Sequence, residues 1–375
     1  MQTPVSESLG IEFPIFAFSH CRDVVAAVTN AGGMGVLGAL YFTPEELEME
    51  LAWIDEHVDG KPYGVDLVMP ATLAPEARAA VEAGDLEGQL EAMIPEANRA
   101  FVEKVLAEYG VPPLPDEVDR AHHLLGWTDT TGRGQLAVSL AHPAALLVNA
   151  LGPPPADVVK TAHEHGMQVA ALASSVRHAE KHRENGVDII VAQGTEAGGH
   201  TGEISSIVLW PEVVEAMGPD VPVLAAGGIG RGSQIAAAMA MGCQGVWTGS
   251  IWLTVAESDM APLVVERLLE ARSHETVRSR VLTGKPARQL RTEWTEAFER
   301  GDSPGYLPMP LQFMLVADAY SRIGRANNKA LTGMAVGMIV GAMNQVRPAR
   351  DVIFDLVSEY GDAMDRVKRL AAGPA

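Results

Sequence analysis

The chain has 375 residues, 47% of them hydrophobic and 20% charged, so it can bury a large core and is not a disordered chain. Its 48 acidic against 28 basic side chains leave a net charge of −20. That balance argues against a nucleic-acid surface and against docking on an anionic membrane, since both need basic footprints. Two cysteines, Cys21 and Cys243, cannot build a disulfide framework, and MQTPVSESLGIEF shows no basic or apolar leader. The expectation is a cytoplasmic protein. The longest weakly polar run, residues 330–343, is broken by glycines and is shorter than the roughly 18 residues a spanning helix needs.

In chain order, apolar runs rich in Val, Ile and Leu predict strands at 13–19, 34–40, 63–69, 145–151, 168–174, 188–194, 222–228 and 245–251. Continuous runs of this kind suit strands covered on both faces, as in a parallel sheet. Helical spacing fills the gaps, at CRDVVAAVTNAGG, TPEELEMELAWIDEH, PADVVKTAHEHG and SVRHAEKHRENG. Thr43-Pro44-Glu45-Glu46 adds a helix start with proline in the first turn. Eight strands alternating with helices predict an α/β fold, a (β/α)8 TIM barrel; an open doubly wound sheet is the alternative that strand counting leaves standing. The alternation breaks at about 71–133, read as an inserted helix pair with a proline-rich connector over one end of the barrel. It breaks again after 252, where helices at 261–272 and 274–281 precede the loop RGDSPGYLPMP (300–310). From 311 the chain reads as helical once more. The expected division is a barrel of residues 1–252 and about 325–375, carrying the insertion, and a smaller substrate or lid region of about 253–324.

Three glycine-rich turns fall at the C-terminal ends of the last three strands: EAGGH, AAGGIG and TGS. That face carries the active site of such barrels, and the loops after the last two strands commonly hold a phosphate. Gly227 and Gly228 precede a helix whose unpaired N–H groups and dipole favour an anion, while Gly249 and Ser250 add backbone donors and a hydroxyl. A Cβ at such positions would hold a phosphate away from the amides. One glycine pair is an ordinary turn, but three such turns on consecutive strands point to a phosphorylated ligand. His200 stands beside the first of them, and an imidazole can exchange a proton near neutral pH.

QGTEAGGHTG, followed by PVLAAGGIG and GVWTGS, resembles the nitronate monooxygenase family, formerly called 2-nitropropane dioxygenases, whose members are FMN-dependent (β/α)8 proteins. The resemblance extends to TNAGGMGVLGA, to residues 175–194 and to TGKPAR, and so covers most of the chain outside the insertion. It implies FMN as cofactor, with its phosphate against Gly227, Gly228, Gly249 and Ser250. The backbone of Ala17, Phe18 and Ser19 would line the isoalloxazine ring, with Gln193, Gly198 and Gly199 passing close to the flavin. His200 is then the catalytic residue, taking the α-proton of a nitroalkane or holding a nitronate oxygen, while O2 completes oxidation to a carbonyl compound and nitrite. The same Gly-Gly-His element marks flavin-dependent reductases of enoyl thioesters and quinones, in which NAD(P)H is the co-substrate. The insertion and the cluster Lys285, Arg288 and Arg291 lean towards that second reading. A third is a flavin- or phosphate-binding barrel without chemistry.

The chain departs from the family pattern in three places. Gly64-Val65-Asp66 puts an acid where relatives commonly carry asparagine, which makes Asp66 a cofactor-site candidate. The fifth strand offers Leu172 where some members place a lysine. FAFSHC replaces a methionine-containing turn, which brings His20 forward as a substrate-side candidate beside Cys21. Tyr306 in the 300–310 loop is a second substrate candidate. The histidine pairs His122–His123 and His163–His165 lack cysteine or carboxylate partners at ligand spacing, so no metal is expected. Apolar residues on the two additions to the barrel are compatible with a homodimer.

Overall fold

In the computed structural model, residues 1–69, 86–115 and 129–372 are described. Eight parallel strands close into a barrel: β1 (Ile15–Ser19), β2 (Met34–Gly38), β3 (Gly64–Leu67), β4 (Leu146–Asn149), β5 (Gln168–Ala173), β6 (Ile189–Gln193), β8 (Val223–Ala226) and β9 (Gly245–Thr248). Closure is made by β9 on β1, with Ile15 opposite Val246 and Ala17 opposite Thr248. All eight lie inside the predicted runs, and the open-sheet alternative is excluded. The numbering skips from β6 to β8 because a two-residue strand, β7 (Gly199–His200), lies in the loop between them.

The reason for the unbroken apolar runs is visible in which core each side chain joins. Phe16, Val36, Val148, Val191 and Leu224 belong to one cluster, the barrel interior. Their neighbours Ile15, Leu37, Leu147, Ile190 and Val223 belong to the larger cluster shared with the surrounding helices. A strand with both faces buried has no place for polar alternation. The interior cluster also takes in Val5 and Leu9 from the N-terminal helix Pro4–Leu9, with Ile11 just after it; the sequence pattern did not predict this helix because it is one short turn and a half. Helix Pro44–His57 begins as expected: Thr43 Oγ1 accepts from Glu46 N at 3.1 Å and Thr43 N donates to the Glu46 carboxylate at 2.8 Å, a reciprocal cap.

Beyond the barrel there is a second apolar core. It joins helices Leu86–Ala92 and Glu96–Glu108 of the insertion to helices Glu293–Ala297 and Leu311–Arg325. Phe298 sits edge-on to both Phe101 and Trp294, at 5.2 and 5.3 Å between ring centroids. Arg322, nearly buried, ties the two segments by an ion pair to Glu103 at 2.6 Å and a bond to the Pro112 carbonyl at 2.9 Å. The two additions to the barrel thus share one core. The parts of the insertion reading at 71–85 and 116–128, His122 and His123 among them, lie outside the described residues.

Two element expectations are corrected. Residues expected to be helical at 274–281 form strand β10 (Thr276–Ser279), antiparallel to β11 (Ala287–Leu290). Thr276 and Val277 are β-branched, which suits a pleated ribbon. The chain after 325 is not continuously helical: an irregular stretch precedes the long helix Ala349–Ala372, which packs on helix Gly232–Ala240. Among the described residues no helix is long and apolar enough to cross a membrane, and Cys21 and Cys243 are both buried and unbridged.

Candidate active site

The C-terminal ends of β8 and β9 carry the expected glycines. Gly227 and Gly228 have φ of +104° and +73°, a region side-chain-bearing residues rarely enter. The backbone N–H groups of Gly227, Gly228, Gly249 and Ser250 find no acceptor among the described residues. A Cβ on Gly249 would meet no atom within 4 Å. Four free donors, with open space at Gly249, suit an anion. The following helix is another matter: Gly232 N donates to the Glu359 carboxylate at 2.8 Å, and Gly230 N to Gln234 Oε1 at 2.9 Å. The helix start expected to be unpaired is therefore already capped, and the anion cradle is confined to the two glycine-rich turns.

The TEAGGH segment is held from three sides. Glu196 accepts from Ser206 N at 2.9 Å and from Ser206 Oγ at 2.6 Å, fixing the start of helix Ser206–Met217. Buried Arg288 donates from Nε to the Thr195 carbonyl at 2.8 Å and from Nη1 to Thr276 Oγ1 at 3.1 Å. The third support is the 336–338 backbone: a Cβ on Gly198 would lie 2.7 Å from Gly337 N, and Gly337 N itself donates to Ser250 Oγ at 2.8 Å. Gly198 thus makes room for the protein's own backbone. Gly199, at φ +74° with open space around it, is the glycine that turns the chain.

That turn delivers His200 onto β7, opposite Ala287 of β11. Its Nδ1 lies 3.4 Å from the Pro286 carbonyl and its Nε2 3.4 Å from Thr283 Oγ1. Burial holds the imidazole below its usual pKa, with Lys285 lowering it further and the Pro286 carbonyl opposing. His200 lines a cavity of about 410 Å³ at the ends of β4, β5 and β6, together with Leu151, Leu172, Ser174, Gln193 and Lys285.

A nitronate monooxygenase family profile matches residues 2–359. The chain belongs to the nitronate monooxygenase family. It is an oxidoreductase. A Mycobacterium tuberculosis protein whose name marks it provisionally as a monooxygenase is 50% identical over 379 residues, covering 99% of each chain. Among solved structures, nitroalkane oxidase from Streptomyces ansochromogenes superposes with a TM-score of 0.79 at 24% identity, over 97% of this chain and 99% of that one. FabK from Thermotoga maritima does so with a TM-score of 0.74 at 23% identity, over 98% and 99%. At those identities the two structures attest the fold alone.

The remaining candidates take varied positions in this member of the nitronate monooxygenase family. Ala17 is fully buried against the helices, while Phe18 packs towards the barrel interior with Trp247. His20 sits edge-on to Phe18 at 5.1 Å, with Nδ1 2.8 Å from the Gly38 carbonyl; burial lowers its pKa. Ser19 Oγ accepts from Cys21 N at 3.1 Å. Asp66 is buried with Oδ1 unpartnered, and burial pushes its carboxyl up to about 8. Tyr306 is not among the cavity's lining residues: it stacks on Phe298 and donates to the Glu299 carboxylate in the second core. The basic cluster is dispersed, with Arg288 buried under TEAGGH, Arg291 paired to Glu296 at 3.9 Å and Lys285 in the cavity wall. His163 bonds Asp188 at 2.8 Å and His165 the Thr161 carbonyl. Sequence reasoning missed Glu196 and Lys181. Glu196 lies inside the motif but reads as one more loop acid, and Lys181, which also lines the cavity, is signalled only by its spacing from His178.

Proposed function

We propose that the chain is an FMN-dependent nitronate monooxygenase that oxidises nitronates or nitroalkanes with O2 to carbonyl compounds and nitrite. The observation that carries this reading is His200 on the edge strand β7, lining a cavity at the same end of the barrel as four N–H groups that find no acceptor among the described residues.

The residues present fit FMN. The cradle of Gly227, Gly228, Gly249 and Ser250 would take its phosphate, and the orphaned Oδ1 of buried Asp66 is a polar group awaiting a partner on the barrel axis. The ends of β1 and β6, through Ala17, Phe18, Ser19 and Gln193, would border the ring, with Gly199 letting the loop approach. Bound FMN would supply the electron acceptor for the substrate and pass reducing equivalents to O2.

The chain's own contribution is proton management. A carbonyl can only accept, so the Pro286 carbonyl favours the tautomer with the proton on Nδ1 and leaves Nε2 as the basic nitrogen. Because burial lowers the imidazole's pKa, that nitrogen is free at neutral pH to take the α-proton of a nitroalkane. A substrate that is already a nitronate does not require this proton transfer. Thr283, at 3.4 Å from Nε2, is a long contact that a substrate can replace.

The test is an anaerobic titration of the purified protein with NADH and NADPH, followed by a nitronate, watched in the flavin's visible absorbance. Reduction by nitronate alone supports the proposal. Fast bleaching by a pyridine nucleotide would instead make the chain a reductase of an enoyl thioester or quinone.

A further inference from the structure

All seven lysines of the chain lie among the described residues. Lys104 pairs with Asp302, Lys160 with Glu164, Lys329 with Glu266 and Glu270, and Lys368 with Asp365. Lys61 donates to the Asn30 carbonyl at 2.9 Å. Lys181 and Lys285 have no partner among the described residues, and both line the cavity that holds His200. Among the described residues no carboxylate lines that cavity, and the other titratable side chains that do are His178, His182 and His200. In a chain of net charge −20 this is a local reversal of sign, and a cleft with walls of one sign concentrates ligands of the other.

Both lysines are placed by ordered structure. Lys181 lies one turn after His178 on helix Val176–Glu184, so the two share a face. Lys285 comes from the loop between β10 and β11, where the backbone is pinned: a Cβ on Gly284 would lie 2.2 Å from the Leu307 carbonyl oxygen. Lys285 N donates to Thr283 Oγ1 at 3.3 Å, the hydroxyl that also neighbours His200 Nε2. The N–H cradle on β8 and β9 lies in a different sector from the β4–β6 cavity, so a cofactor phosphate does not call on these cations. Two ammonium groups, three donors each, match a doubly charged anion, whereas a single carboxylate leaves one of them uncompensated.

We propose that Lys181 and Lys285 form a substrate subsite for a doubly charged anionic tail, a phosphate monoester being the simplest class, at the end of the substrate remote from the carbon presented to His200. The identity of the reacting group rests on the nitronate reading; the subsite rests on the two unpaired cations.

The test compares nitronates of equal chain length ending in methyl, carboxylate or phosphate at low ionic strength. Phosphate should exceed methyl in kcat/KM by roughly tenfold or more, the effect of one charge-assisted contact, with carboxylate between them. Lys181→Met and Lys285→Met should each reduce that ratio and the double variant bring it to about one, while Lys181→Arg keeps it. Equal kcat/KM for phosphate and carboxylate, or a ratio indifferent to both lysines, overturns the subsite. If no nitronate turns over, the function fails separately. Calorimetric titration of the holoprotein with inorganic phosphate then decides: binding lost in the double variant supports the subsite, and binding unchanged between wild type and variant overturns it.

Discussion

Nδ1 of His200 lies 3.4 Å from the carbonyl oxygen of Pro286, a neighbour that favours Nε2 as the basic end of the ring. His200→Ala and His200→Asn should each lower nitronate- or nitroalkane-dependent oxygen uptake at least about 100-fold, the usual contribution of a positioned acid–base group. Bound flavin should stay at the wild-type level. Normal turnover in either variant would remove His200 from the chemistry.

The same ring sets a pH profile. Burial holds its pKa below the ordinary 6.5 of an imidazole, so the base form dominates above pH 6.5. For a neutral nitroalkane, kcat/KM should rise with pH to a plateau, with the midpoint of the rise below pH 6.5. A preformed nitronate, which needs no deprotonation, should lack that rising limb. Identical profiles for both substrates would show that another group takes the proton.

Gly249→Ala separates cofactor binding from folding. The added methyl would meet no protein atom, so thermal stability of the apoprotein should change by less than about 0.5 kcal/mol. FMN affinity, measured by fluorescence quenching, should fall tenfold or more if the cradle holds the phosphate. Unchanged affinity would place the phosphate elsewhere.

Asp66 gives stability a pH dependence of definite sign. Its carboxyl rises from 3.8 to about 8 through burial, so the folded state holds a proton that the unfolded chain releases. Its contribution is fully present below about pH 3.8 and is lost progressively as pH rises to about 8. Asp66→Asn removes the titration. Its melting temperature in the apoprotein should exceed that of wild type at pH 8, and the gap should narrow at pH 5. A constant gap between the two pH values would show that the carboxyl is ionised in the fold.

Arg288→Met should cost about 1–3 kcal/mol, because it leaves the Thr195 carbonyl and Thr276 hydroxyl unpaired in a buried place. Arg288→Lys should recover only part, since an ammonium cannot span both acceptors as the guanidinium does. Full recovery by lysine, measured by thermal unfolding, would show that charge alone matters.

The barrel was legible because each strand is a short unbroken apolar run and each crossover a helical one, so local pattern and global fold agree. The glycine turns were legible for a related reason: Gly227 and Gly228 occupy backbone conformations that other residues avoid. What could not be read were the supports. Glu359 reaches Gly232 across 127 positions of sequence and Arg288 reaches Thr195 across 93, distances over which a single sequence carries no pairing signal. Strand β10 was misread because its four residues, taken alone, fit a helix as well as a ribbon. Tyr306 was drawn towards the site by its loop, whereas its ring is taken up by Phe298.

The pairing of β7 with β11 also orders events during synthesis. All eight barrel strands and both glycine turns precede residue 252 in the chain, whereas Thr283, Pro286 and Ala287, which border His200, follow it. A nascent barrel can therefore possess the phosphate cradle before it possesses a positioned base. The segment that borders His200 is thus made after both glycine turns.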